Sequence, residues 1–296
     1  MKKLLLASTA LVLSAGLAHA QAVTITGEGR MGVQYDNAGF GGTNWRTEQR
    51  LTLNFNVSVQ ADHGLTFGAW TRARMATTGW GVADFGVFTG SRVWVESNGF
   101  RLTFGNQDGA FRQVGASHGY LGGCGIGYEG GQQCGDSAGL LGVTQGQANA
   151  IPVPFGANRI GIRYTNGDYT VAASAQRAGA IEVAARARID AFTVAIGYTD
   201  GGVGASSYAL SGHYNGGSWG VGAIIARVAG VATNWSLSGS AQLGGGRAYA
   251  YVGRVFGANA YGLNYGYGLG GGATLTAGAE RVGARTTASV GVAFNF

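Results

Sequence analysis

Four arginines, Arg30, Arg50, Arg72 and Arg74, and three acids further along the chain, Asp108, Glu129 and Asp136, have types and spacing that could do chemistry. The arginines stand at even positions of stretches that alternate polar and apolar residues, so in an extended chain they share one face. A cationic wall opposed by carboxylates creates a transverse field. Such a field orients water and dipolar solutes and penalises apolar ones without making or breaking a bond. Arginine suits the wall because its guanidinium stays charged when crowded, where a lysine could lose its proton. Bond-making chemistry has little support: beyond residue 20 the histidines are His63, His118 and His213, and Ser211 with His213 is a pair of neighbours, not a triad. No enzymatic activity is expected. Cys124 and Cys134 are the only cysteines; in an oxidising compartment they are expected to form a disulfide, and two thiolates lack the further ligands of a structural zinc. No metal or cofactor is implied. The glycines around them, Gly122, Gly123, Gly125 and Gly127, precede no Lys-Ser or Lys-Thr and so do not make a phosphate loop.

The elements that must position the arginines are strands. In Arg46 to Gln60 the even positions are polar throughout, while Leu51, Leu53, Phe55, Val57 and Val59 fill the odd ones. The same period of two recurs in Val23 to Asp36, Ile181 to Asp190 and Arg285 to Phe296, and a helix would instead space its apolar residues at 3.6. Counting such runs between turn signals gives sixteen: 23–35, 46–60, 65–76, 82–96, 99–106, 158–166, 169–177, 181–189, 192–199, 206–215, 218–228, 234–243, 247–256, 260–268, 273–282 and 285–296. Their polar faces carry too many Arg, Glu, Asn and Gln to be buried dry. The polar side must therefore surround water and the apolar side must meet lipid. In lipid an open strand edge is untenable, so the sheet must close and both chain ends must lie at one rim. The fold class expected is all-β: a 16-stranded antiparallel transmembrane β-barrel. Aromatics on the apolar face, Phe67, Phe104, Tyr169, Tyr208, Trp219, Trp235, Tyr249, Tyr251, Tyr261 and Phe296, suit interfacial girdles.

Hairpin centres give a register. With the first loop centred near position 40, Arg30 pairs with Arg50; with the next turn centred near Asp62, Arg50 pairs with Arg74. Like charges opposite each other destabilise a sheet, which argues for a functional row; partial neutralisation by Glu28, Glu48 or Asp84 is the structural alternative. Between strands 5 and 6 lie about fifty residues, 107–157, far more than the usual handful. The room for such a loop is the lumen, and an external flap is the other option. Folded inward, it would carry Asp108, Glu129 and Asp136 opposite the arginines.

Composition excludes the competing classes. Glycine supplies 57 of 296 residues and charged residues only 11%, yet there are 2 prolines and 32 aromatics, so neither collagen nor disorder fits. Met1 to Lys3, the apolar stretch Leu4 to Leu17 and the small-x-small site Ala18-His19-Ala20 describe a secretory signal peptide over 1–20, leaving 21–296 as the barrel. Its removal takes the only lysines, Lys2 and Lys3, and leaves 18 arginines against 14 acids. An exported, lysine-free chain does not fit a nucleic-acid binder.

The run from Val23 to Tyr35, the strand-5 run from Gly99 to Asp108 and the terminal Val290-Gly-Val-Ala-Phe-Asn-Phe296 resemble the Gram-negative general diffusion porins, especially the alphaproteobacterial type. The resemblance implies a trimeric barrel in the bacterial outer membrane with its third extracellular loop, 107–157, folded in as a constriction. It also implies that the strand ending in Phe296 is read by the barrel-assembly machinery. Small residues such as Gly27 and Gly29 would permit close subunit packing. The expected function is a passive water-filled pore for small hydrophilic solutes and ions, selecting by size and charge. A substrate-specific channel is the alternative, kept open by lumen-facing Trp70 and Trp94.

Overall fold

Period-two alternation builds a sheet with one oily and one wet face, and the chain resolves the problem of its edges by closing the sheet on itself. The computed structural model describes residues 22–39, 43–76, 86–116, 126–127, 135–138, 158–176, 180–201 and 206–296. These form sixteen antiparallel strands: β1 Ala22–Asp36, β2 Trp45–Gln60, β3 Thr66–Ala76, β4 in two segments (Gly86–Phe88 and Arg92–Ser97), β5 Phe100–Asn106, β6 Asn158–Asn166, β7 Tyr169–Gln176 and β8 Ile181–Ile189. The second half comprises β9 Phe192–Thr199, β10 Ser207–Asn215, β11 Trp219–Val228, β12 Asn234–Leu243, β13 Gly246–Val255, β14 Ala258–Gly270, β15 Ala273–Val282 and β16 Arg285–Asn295. Each strand pairs with its neighbours in sequence, and β1 pairs with β16, so the barrel is closed.

Burial runs opposite to that of a water-soluble protein. Along β11 exposed Trp219, Val221 and Ile225 alternate with buried Gly220, Gly222 and Ile224. On the outer face Leu237, Val252 and Leu263 are exposed, whereas Ser174, Ser211, Ser236 and Ser238 are buried on the inner one. An apolar exterior of this extent fits hydrocarbon and not water.

The seam between the first and last strands is fastened at the rim where β1 ends. Arg285 of β16 grips the Asp36 carboxylate with two hydrogen bonds, Nε to Oδ1 at 3.1 Å and Nη2 to Oδ2 at 2.6 Å. Asn37 adds a side-chain donor bond to the Ala284 carbonyl at 2.8 Å and accepts from the Thr286 amide at 2.8 Å.

Three features depart from the sequence-based expectations. Arg30 does pair with Arg50, but Arg50 faces Ala76 and Arg74 faces Thr52. The turn after β2 is a 3-10 helix, Asp62–Gly64, with His63 at φ 63; it shifts the hairpin centre past Asp62 and moves the register by two. Strand 4 is interrupted at Thr89, Gly90 and Ser91: Ala73 pairs with Phe88, yet Trp70 pairs with Arg92, so one extra residue is inserted. Such a bulge flips the alternation, so Arg92 faces inward opposite Trp70 and Trp94 takes the lumen-facing position expected of it. Tyr249 and Tyr251 are not girdle residues; they are buried on the lumen side, with exposed Val252 and Arg254 taking the outer face of β13.

Candidate functional site in the lumen

The four arginines do converge. Arg30 and Arg50 lie opposite each other on β1 and β2, with Arg72 and Arg74 on the same face of β3. One carboxylate serves three of them. Glu28 Oε1 accepts from Arg50 Nη2 at 2.8 Å and lies 3.8 Å from Arg30 Nη2 and 3.9 Å from Arg74 Nη2. Thr52 donates to the same oxygen at 3.2 Å and accepts from Arg74 Nε at 3.3 Å. The neutralisation considered from the sequence is thus present: among the described residues Glu28 lies within 4 Å of Arg30, Arg50 and Arg74. Glu48 pairs with Arg46, and Asp84 lies outside the described residues.

The loop after β5 folds inward. Its first turn, α1 (Ala110–Val114), buries Phe111 and Val114 completely against the lumen faces of β7 to β9. The Ala110 amide donates to Ser174 Oγ at 3.1 Å and the Phe111 amide to Glu182 Oε2 at 3.2 Å. Glu182 is held in turn by Arg159, Nη1 to Oε1 at 3.8 Å, both side chains almost wholly buried. A residue with a Cβ at position 197 would place that atom 2.6 Å from the Phe111 ring, so only glycine leaves room for it. Further along, Ile126 packs with Tyr249 and Tyr251, and the Gly127 amide donates to Asn264 Oδ1 at 2.7 Å. The segment Gly135–Ser137 meets β12 and β13, where Tyr249 donates to Asp136 Oδ2 at 3.1 Å and Ser236 donates to the Asp136 carbonyl.

A family model described as Gram-negative porin matches residues 7–287. The chain belongs to the Gram-negative porin family. It is an outer-membrane β-barrel, and the porin's fold is similar to that of two engineered variants of the Rhodopseudomonas blastica porin. These share 24% and 23% identity with it, at TM-scores of 0.78 and 0.76, each comparison covering 93% of this chain and 100% of the other. Among curated protein sequences nothing matches.

Of the acids expected to oppose the arginines, Asp108 and Asp136 fall within the described residues. Asp136 is fully buried and bound by the β12 and β13 wall, so it anchors the loop and does not present its carboxylate to lumen water. Asp108 keeps 40% of its side chain exposed, 3.7 Å from Arg112 Nε. Glu129, Cys124 and Cys134 lie outside the described residues, as does the 1–20 segment.

Asp108, whose charge acts on Arg72, also meets a second arginine group that the sequence reading missed. Arg101 and Arg163 lie directly opposite each other on β5 and β6, and with Arg92, Arg112, Trp94 and Asp108 they border a polar cavity of about 300 Å³. Arg92 stacks on Trp70 at 4.0 Å from its centroid, Arg72 approaches the same ring at 5.5 Å, and Arg101 lies 5.1 Å from the centroid of Trp94. Glu96 pairs with Arg101. Trp70 thereby links the two groups into one cationic strip along β1 to β6. The alternation of Arg92-Val-Trp94-Val-Glu96 carried this signal.

Proposed function

We propose that this porin is a passive, water-filled outer-membrane pore for small hydrophilic solutes and ions, in which the arginine strip on β1 to β6 biases permeation by charge and the inward loop limits size. The observation that carries the reading is the gathering of Arg30, Arg50 and Arg74 around the Glu28 carboxylate on the lumen face. A strip with more guanidiniums than carboxylates concentrates anions and slows cations. At physiological salt its field decays over about 8 Å, so it acts where the loop narrows the passage. Asp108 and Glu129 are the loop acids that would set the opposite side of that field; Asp136 serves as an anchor. Residues 1–20 act as the export signal, Cys124 and Cys134 close a disulfide within the loop, Phe296 marks the chain for barrel assembly, and the pore works as a trimer.

Planar-bilayer recording in a salt gradient tests this. Arg50→Ala and Arg74→Ala should each move the reversal potential toward cation selectivity, and unchanged potentials would refute the charge assignment. A second reading, a solute-specific channel, is favoured by the stacking of Arg92 on Trp70 beside the polar cavity. Flux into proteoliposomes separates the two: saturation at low solute concentration supports specific binding, and linear flux falling with solute size supports a diffusion pore.

A further inference from the structure

The outward face of the described strands carries three charged side chains, Arg227, Arg254 and Arg281, all exposed. They recur at intervals of 27 residues, each followed by valine and each one residue before its strand ends, on β11, β13 and β15. Each has an outward aromatic directly opposite on the preceding strand: Tyr208 for Arg227, Trp235 for Arg254 and Tyr261 for Arg281. These strand ends lie at the rim that also bears the long loop after β5, which is the extracellular rim. Strands are spaced about 4.8 Å apart, so arginines on alternate strands stand roughly 10 Å from one another.

An arginine on the lipid face is disfavoured at mid-bilayer and tolerated at the boundary, so the row marks the height where hydrocarbon ends. Among the described residues none of the three has a carboxylate partner. Arg254 and Arg281 each donate Nε to a turn carbonyl, of Gly257 and Gly283, both at 3.0 Å. That bond fixes the guanidinium at the rim while leaving its two terminal amino groups for a ligand. The planar fork matches phosphate oxygens two at a time, and the neighbouring rings are at home at headgroup depth. We propose that Arg227, Arg254 and Arg281 form a binding site for phosphate-bearing lipid headgroups of the outer leaflet, fixing the height of this wall in the membrane. The site stands apart from the lumen and does not depend on how solutes are selected.

The test uses the full-length protein in phosphatidylcholine nanodiscs with and without phosphatidic acid, a phosphomonoester lipid. Native mass spectrometry counts the lipid retained after release, and single-channel conductance shows that each variant is a folded pore. The triple variant R227Q/R254Q/R281Q should lose phosphatidic-acid retention by about tenfold or more, as expected for the loss of three charge-assisted contacts, with its conductance unchanged. Arg50→Gln, which removes a cation from the lumen, should retain lipid as the parent does. Equal retention by the triple variant and the parent would overturn the proposal. So would unchanged retention accompanied by loss of the oligomer, which would make the row a contact between copies. Inorganic phosphate at equal concentration should not displace the lipid, and displacement would overturn the assignment to a headgroup.

Discussion

The ring of Phe296 lies over Gly27: a Cβ at that glycine would sit 2.3 Å from Phe296 Cζ. Gly29 stands in the same relation to Phe294, also at 2.3 Å, so two aromatic rings of the last strand lie flat on two glycines of the first. The chain's own terminus thus covers the surface that the sequence suggested for a neighbouring subunit. Gly27→Val or Gly29→Val should force the ring away and weaken closure by about 1–3 kcal/mol, the usual cost of overpacking. Urea midpoints and the gel-mobility difference between folded and heated protein would register it. Gly216→Val, at a turn where the nearest contacts are the side chains of Trp219 and Tyr214, should leave the β1–β16 seam intact and so separates a seam effect from a general loss of glycine.

A second clasp acts at the other end of the same seam. Asp36→Ala removes a two-pronged acceptor for Arg285, whose side chain is 32% exposed against 6% for Asp36. Solvent screening on the arginine side reduces the loss to about 1–2 kcal/mol. A double-mutant cycle with Arg285→Ala should return a coupling of that order; a coupling near zero would mean that Asn37 alone holds the rim.

Glu28 and Arg50 should act in opposite directions. Glu28→Gln removes a carboxylate that lies within 4 Å of Arg30, Arg50 and Arg74, so the wall becomes more positive and selectivity should move toward anions, against the cationward shift of Arg50→Ala. Reversal potentials measured at two salt concentrations would check both the sign and the expected weakening of the shift as salt screens the wall. A cationward shift in Glu28→Gln would show that the carboxylate's main role is to hold the arginines in place.

How much of this was legible beforehand depends on which physical signal carried it. Alternation in β2 and β11 fixes the inner and outer faces because a strand's period is two, and Arg30 against Arg50 follows from one short loop. The hairpin after β2 defeated the same arithmetic, since His63 takes a positive φ and a 3-10 turn changes the centre. The bulge at Thr89 to Ser91 has no pattern of its own, yet it decides that Arg92 points at Trp70. Asp136 reads as a charge in a loop, and nothing local reveals that Tyr249, more than a hundred residues away, will cover it. Local periodicity survives folding; contacts between the loop and a distant wall are set by tertiary packing.

The attachment of the loop supplies the last prediction. Phe111 is fully buried between the loop and the β7 to β9 wall, and its amide is bonded to Glu182. Phe111→Ala removes that anchor, with a cost of about 3–5 kcal/mol if the site cannot collapse, while the strand pairing that forms the barrel is untouched. The loop should then leave the lumen part of the time. Single-channel records should show larger and noisier conductance, and sugars excluded by the parent should enter proteoliposomes. Glu182→Ala should produce a milder version, because Arg159, buried beside it, would be left without its carboxylate while Phe111 still packs. Unaltered conductance and size exclusion in Phe111→Ala would mean that the contacts of Ile126 and Asp136 are enough to keep the loop inside.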